Sequence, residues 1–384
     1  MAAPLLDAKV PRTRVVVLDV LRLAAMLLMI QGHTLAAMLD PARVNLAGGP
    51  WTVWTDLRGL TAPMFLMVSG AATVLGIRQG PDGRIPAALL WHRVRVAVTV
   101  MAIGYLLVFP AQRVVELRWV SRDVWRAFLQ VGILQLNGAT LLLLTALLWR
   151  TRTVRRYAAW SLGLGGLILA AAPLVARLDG FRWLPEGLAA FLSFRHGSLF
   201  PLFPYAAYMC LGVGLGALLM ERPAGIRERV FRRTCLAAGA GCLLFALAAR
   251  HLPWQTLPPG DAYQGGYAYT AFRLGYTLLL FGALAWAAEA APRLAAAVAP
   301  LGRRSLFVYV GHLVLIYGSP WTPGLGEGRF HTLSLPRGLL EVLLVGGLTI
   351  GVVLLRDWIR QRSRPLCALL HTSVAVALAC ALLW

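Results

Sequence analysis

Apolar runs of about twenty residues recur from one end of the chain to the other, separated by short stretches rich in arginine, glycine or proline. A helical run of that length crosses the roughly 30 Å hydrocarbon core of a bilayer. The runs fall near 15–38, 57–77, 93–112, 127–149, 157–176, 203–220, 234–251, 271–289, 304–319, 338–355 and 366–384. They predict an all-α, polytopic integral membrane helix bundle of about eleven spans. The stretch 178–202 leaves room for a further re-entrant or interfacial segment. No polar linker, internal repeat or low-complexity tract divides the chain. The expected organisation is a short N-terminal tail, 1–14, and one membrane domain, 15–384. The first run is too long for the core of a cleavable signal peptide and has no small-residue cleavage site behind it.

Composition agrees with this pattern. The chain of 384 residues is 59% hydrophobic and only 14% charged, with a mean hydropathy of +0.68. An ordinary soluble domain carries roughly 25% charged residues. A net charge of +21 would suit a nucleic-acid binder, but its distribution argues against one. Most of the 37 basic residues fall on alternate connecting segments, among them Lys9, Arg12 and Arg14, then Arg150, Arg152, Arg155 and Arg156, then Arg356, Arg360 and Arg362. Basic residues near the ends of spans set orientation, so the alternation predicts a cytoplasmic N-terminus and an outer C-terminus. Cys210, Cys235, Cys242, Cys367 and Cys380 show no metal-ligand spacing and lie in or beside apolar runs.

Several polar residues interrupt the runs, and such groups inside a membrane helix normally face a partner or a cavity. In the first span Arg22 and His33 are eleven residues apart, which is three turns plus about 20°. They share a face, about 16 Å apart along the axis. Asp19 stands one turn below the arginine. One reading makes Asp19 and Arg22 an i, i+3 ion pair and His33 a hydrogen-bonded structural histidine. The other uses the imidazole as general base or transient acyl carrier, with Arg22 holding an anionic donor group. Ser305, Tyr309 and His312 form a second polar stripe in LGRRSLFVYVGHLVLIYG. Gln130, Gln135 and Asn137 punctuate the fourth span. Arg93 and Arg95 open the third, either as topogenic charge or as ligands for a donor's phosphates. Long connections rich in Trp, Pro and Gly, at 39–56, 251–270 and 318–337, fall on the predicted outer side. They suit interfacial anchoring or a shallow sugar site.

The segments LDVLRLAAMLLMIQGH, LTAPMFLMVSGAA, VGILQLNGAT and RSLFVYVGH occur in that order. Together they resemble the transmembrane acyltransferases of the heparan-α-glucosaminide N-acetyltransferase type, including their bacterial relatives. The Arg22 to His33 spacing also resembles the membrane acyltransferases that O-acylate envelope glycans, where this pair is regarded as essential. The resemblance implies a multi-pass enzyme of the bacterial inner membrane. It would move an acyl group, most commonly acetyl, from cytoplasmic acyl-CoA to a sugar amine or hydroxyl on the outer side. No permanently bound cofactor is implied, and acyl-CoA, a glycan or amino-sugar acceptor and the bilayer are the expected partners. Homo-oligomerisation is left open. The implied catalytic set is His33, Arg22 and Asp19; the implied donor-binding set is Arg93, Arg95, Gln135, Ser305, Tyr309 and His312. The lysosomal members differ: they carry Asn at the position of His33 and place a histidine in the following loop, whereas LDPARVNLAGGPWTVWTD has none. They also have Asn where Arg304 stands. Glucosamine specificity is therefore not carried over, and a polytopic secondary transporter is the alternative class.

Overall fold

The computed structural model describes residues 15–44, 48–80, 85–192, 194, 197–223, 225–249 and 266–383. The tail 1–14 and most of the aromatic connection 251–270 lie outside them. The described residues form fifteen α-helices. They are α1 (Val16–Met38), α2 (Pro50–Gly59), α3 (Thr61–Leu75), α4 (Ala87–Leu107), α5 (Arg122–Leu129), α6 (Ile133–Thr151), α7 (Val154–Arg177) and α8 (Glu186–Ala189). There follow α9 (Leu202–Glu221), α10 (Arg227–Ala249), α11 (Tyr267–Ala290), α12 (Pro292–Gly302), α13 (Ser305–Tyr317), α14 (Leu335–Arg362) and α15 (Arg364–Leu383). Among the described residues, β pairing is limited to two isolated bridges, Leu39 with Leu333 and Ser319 with Thr322. Ten stretches are long and apolar enough to cross a bilayer when α2 and α3 are counted as one. The chain is a polytopic helical membrane protein.

Lipid tails are as apolar as leucine, so membrane helices associate through close packing rather than through the hydrophobic effect. Glycine permits the closest approaches here. On α9, Gly212 and Gly216 face α3 so tightly that a Cβ at either would overlap a backbone carbonyl, that of Met67 or Ala71. Gly70 of α3 answers with the same relation to the carbonyl of Met209. The pair α10–α11 repeats the device. A Cβ on Gly239 would stand 2.9 Å from the Gly275 carbonyl, and one on Gly275 would stand 3.0 Å from that of Gly239.

α1 lies between two cores. On one side Leu18, Leu21, Ala25 and Met29 join a large cluster with α3, α6, α7, α9, α10 and α11. On the other, Met26, Ile30 and Met38 pack with Val308, Ile316, Val345 and Val353 of α13 and α14. A helix buried on both flanks presents its remaining polar positions to the seams between neighbours, and this is where its ionisable residues emerge.

The ninth expected span, 304–319, is not a single crossing helix. α13 has only thirteen residues, about 20 Å. Gly318, at φ 77°, ends it in a conformation that glycine adopts without strain. The chain then folds back: Leu325 N and Gly326 N donate to the carbonyls of Leu315 and Ile316, at 2.7 and 3.0 Å. These bonds satisfy helix-end acceptors that lipid could not. Farther on, His331 N donates to the Ala37 carbonyl and Leu333 N to that of Met38, tying the loop to the end of α1. α12 precedes α13 and also follows α1, with Gly302 pressed against the Asp19 backbone. The pass alongside α1 is therefore a broken pair, α12 and α13. Among the described residues between α7 and α9, the helical elements are the short α8 and a 3₁₀ turn at Gly180–Arg182. This stretch caps α6, where Leu199 N and Phe200 N donate to the Val131 carbonyl.

Candidate active site

The two polar ends of α1 meet different surroundings. Near its N-terminal end, Arg22 Nη1 donates to Asp19 Oδ1 at 2.8 Å. The side chain of Asp19 is 7% exposed and that of Arg22 21%. The ion pair expected from the i, i+3 spacing is present, and α12 closes over it. A cleft of about 350 Å³ opens nearby, between Val16 and Val17 of α1, Glu228 and Arg229 of α10, Glu289 of α11 and Ala295 of α12. Its two carboxylates are engaged, Glu228 by Arg227 and Glu289 by Arg232.

Near the C-terminal end of α1, two histidines meet. His33 Nδ1 lies 3.0 Å from His312 Nε2, with ring planes 11° apart. His312 is buried, and its Nδ1 lies 2.9 Å from the Val308 carbonyl one turn earlier on α13. The protons can be assigned from this chain of contacts. A carbonyl only accepts, so Nδ1 of His312 carries hydrogen. With that ring neutral its Nε2 is a lone pair, and His33 Nδ1 must be the donor. The second nitrogen of a neutral His33, Nε2, is then left with its lone pair free. Tyr309 completes this wall, edge-on to His312 with ring centroids 5.5 Å apart, and stacked on Phe65 of α3 at 6.1 Å.

Two arginines not anticipated from the sequence stand near the α2–α3 junction, one of them beside His33. Arg58 of α2 lies across α1 next to His33. A Cβ on Gly32 would come within 2.7 Å of its Cγ, so the glycine makes room for it. Its guanidinium sits 5.1 Å from the Trp54 ring centroid. Arg273 of α11 reaches the same elbow, where a Cβ on Gly59 would stand 2.7 Å from its Nη2. Its Nη1 donates to the Tyr205 hydroxyl at 2.9 Å, and its guanidinium lies 4.6 Å from the Tyr269 ring centroid. Arg273 was legible: it is an arginine inside the eighth apolar run, the same signal that marked Arg22. Arg58 carried a weaker signal, since the run 57–77 starts beside it.

The other anticipated residues do not converge here. Arg93 donates to the Thr73 carbonyl, whose hydroxyl in turn meets that of Tyr157 at 2.9 Å. Arg95, two positions on, is exposed on another face of α4. The structure does not bring these two guanidiniums together. Gln135 is buried on α6 against α4, where Gly104 leaves it space, and Asn137 donates to Ser69 at 3.4 Å. Ser305 begins α13, two turns before His312.

The family model for the catalytic domain of heparan-alpha-glucosaminide N-acetyltransferase matches residues 14–247, more than half of the chain. The chain belongs to that family. A search of curated proteins returned no significant match. The matched region carries α1 to α9 and most of α10, and thus Asp19, Arg22, His33 and Arg58. Arg273, Tyr309 and His312 lie beyond it, so within this member of the acetyltransferase family the fold recruits them from the last third of the chain.

Proposed function

We propose that the protein is a membrane acyltransferase, moving an acyl group such as acetyl from acyl-CoA to a sugar amine or hydroxyl, with His33 as general base. One observation carries this reading: the contact chain from the Val308 carbonyl through His312 to His33, which leaves a lone pair on His33 Nε2. As the acceptor nitrogen or oxygen attacks the thioester carbonyl, Nε2 takes its proton. The tetrahedral adduct then breaks its C–S bond, and the departing CoA thiolate takes that proton back as the free thiol. Such base catalysis contributes typically about 10²- to 10⁴-fold.

The axial distance from Arg22 to His33, about 16 Å, is comparable to a pantetheine arm. Acyl-CoA held at the N-terminal end of α1 would therefore present its thioester to His33. The cleft there, with Arg227, Arg229 and Arg232 around two engaged carboxylates, suits the donor's phosphates. With the N-terminus cytoplasmic, the donor arrives from inside and the acceptor from outside, the arrangement expected of a bacterial inner-membrane enzyme. Family membership favours catalysis over the transporter alternative. The test is transfer of label from acetyl-CoA to sugar acceptors by purified protein and by His33→Ala. Loss of at least about 100-fold in kcat/KM supports the proposal; unchanged transfer removes His33 from the mechanism.

A further inference from the structure

Four tyrosines are buried among the described residues: Tyr157, Tyr205, Tyr208 and Tyr309. A buried phenol usually finds a hydrogen-bond partner, and three of these do. Tyr157 meets the Thr73 hydroxyl at 2.9 Å, Tyr205 accepts from Arg273, and Tyr208 donates to the Thr270 carbonyl at 3.5 Å. Tyr309, in the wall beside the histidine pair, has no hydrogen-bond partner among the described residues. Its ring is nevertheless held on two sides, edge-on to His312 and stacked on Phe65. A phenol pinned by its ring and unanswered at its oxygen is a fixed donor whose acceptor comes from elsewhere.

Resting on the acyl transfer proposed above, we infer that the Tyr309 hydroxyl is its oxyanion donor, hydrogen-bonding the thioester carbonyl oxygen as negative charge builds there. Its place in the fold fits that role. Gly302, just before α13, presses on Asp19 near the N-terminal end of α1, and His312 meets His33 near the other end. The two helices therefore run side by side in the same direction. Tyr309 precedes His312 by three residues, on the same face of α13 and about 4.5 Å nearer the end assigned to the donor. It stands on the side from which the thioester arrives. In the addition step the acceptor's lone pair bonds to the carbonyl carbon, the C=O π pair moves onto oxygen, and His33 Nε2 takes the acceptor's proton. The phenol keeps its own proton and shares it with the oxyanion. On collapse that pair re-forms the C=O bond, the C–S bond breaks, and the CoA thiolate takes the proton held by His33. A donor fixed beforehand stabilises such charge without reorganising at the moment of reaction.

The experiment uses full-length protein in nanodiscs and the variant Tyr309→Phe, which keeps the ring contacts with Phe65 and His312 and deletes only the hydroxyl. Release of CoA from acetyl-CoA, with glucosamine as acceptor, should lose about 10²- to 10³-fold in kcat. Both KM values should change by less than about threefold, as expected of a bond made in the transition state. Melting should not fall, because the hydroxyl has no protein partner to lose. Infrared difference spectra of bound acetyl-CoA, isotope-labelled at its acetyl carbonyl, give a readout that needs no acceptor. The thioester carbonyl band should lie at lower frequency than in free acetyl-CoA, and in Tyr309→Phe it should lie above its wild-type position. A band in the same place in both proteins, an unchanged kcat, a loss expressed only in KM, or a lowered melting temperature overturns the donor. His33→Ala separates this inference from the base: it should keep the wild-type band while losing transfer. Transfer that depends on His33, with the band unmoved by Tyr309→Phe, sinks the donor alone. A band moved by Tyr309→Phe, with transfer unchanged in His33→Ala, sinks the base alone.

Discussion

Replacing His312 with Ala removes the acceptor for His33 Nδ1–H, 3.0 Å away, while leaving the base itself in place. An N–H stranded in a buried site costs about 1–3 kcal/mol. His33 escapes that cost by moving its proton to Nε2 or by turning, and either removes the lone pair from the acceptor. At about 1.4 kcal/mol per factor of ten, kcat/KM should fall about 5- to 150-fold. His33→Ala should fall further, by about 10²- to 10⁴-fold. The two effects share one interaction, so the double variant should be no worse than His33→Ala alone. His312→Gln keeps an acceptor oxygen for the His33 proton and should recover most of the activity. The assay is label transfer from acetyl-CoA in nanodiscs, with folding checked by thermal unfolding of each variant. If the double variant loses the product of the two single losses, the histidines act independently and the proton assignment is wrong. If His312→Gln is as poor as His312→Ala, the acceptor at that position is not what matters.

Other consequences concern stability and can be read from melting of the detergent-solubilised protein. Gly70→Ala drives a methyl into the Met209 carbonyl and should destabilise by about 1–3 kcal/mol or more. Gly163→Ala on α7 meets nothing within 4 Å and should be neutral or stabilising, by up to about 1 kcal/mol; similar melting of the two variants would contradict the packing. Asp19→Ala strands the Arg22 charge. Breaking a buried pair costs about 3–5 kcal/mol, and the 21% exposure left to Arg22 lowers the expectation to about 2–3 kcal/mol. Asp19→Ala with Arg22→Met should recover most of that loss, whereas a harmless Asp19→Ala would deny the pair its structural role. Ser161 is fully buried on α7 and its hydroxyl has no partner among the described residues. Ser161→Ala should therefore hold or raise the melting temperature, and a clear drop would mean that the hydroxyl is satisfied.

Periodicity and span length made the helices legible because both are properties of one segment. Twenty apolar residues must cross as a helix, since lipid offers no partner for a bare backbone. The shared face of Arg22 and His33 likewise needs nothing beyond 100° per residue, and the Asp19–Arg22 pair is local enough to be read from its spacing. Ordered motif segments, each within a single span, also carried the family. Contacts between helices were another matter. Lipid-facing and protein-facing positions share the same apolar chemistry in a membrane, so the pattern names neither neighbours nor axial register. The approach of His312 to His33 across 279 residues and the arrival of Arg58 beside His33 were decided only by packing, whereas the division of Arg93 from Arg95 follows from their i, i+2 spacing on one helix. Packing also decided the broken ninth pass: the apolar run 304–319 became a thirteen-residue helix because Gly318 turned the chain back and the returning loop supplied its amides to the exposed carbonyls.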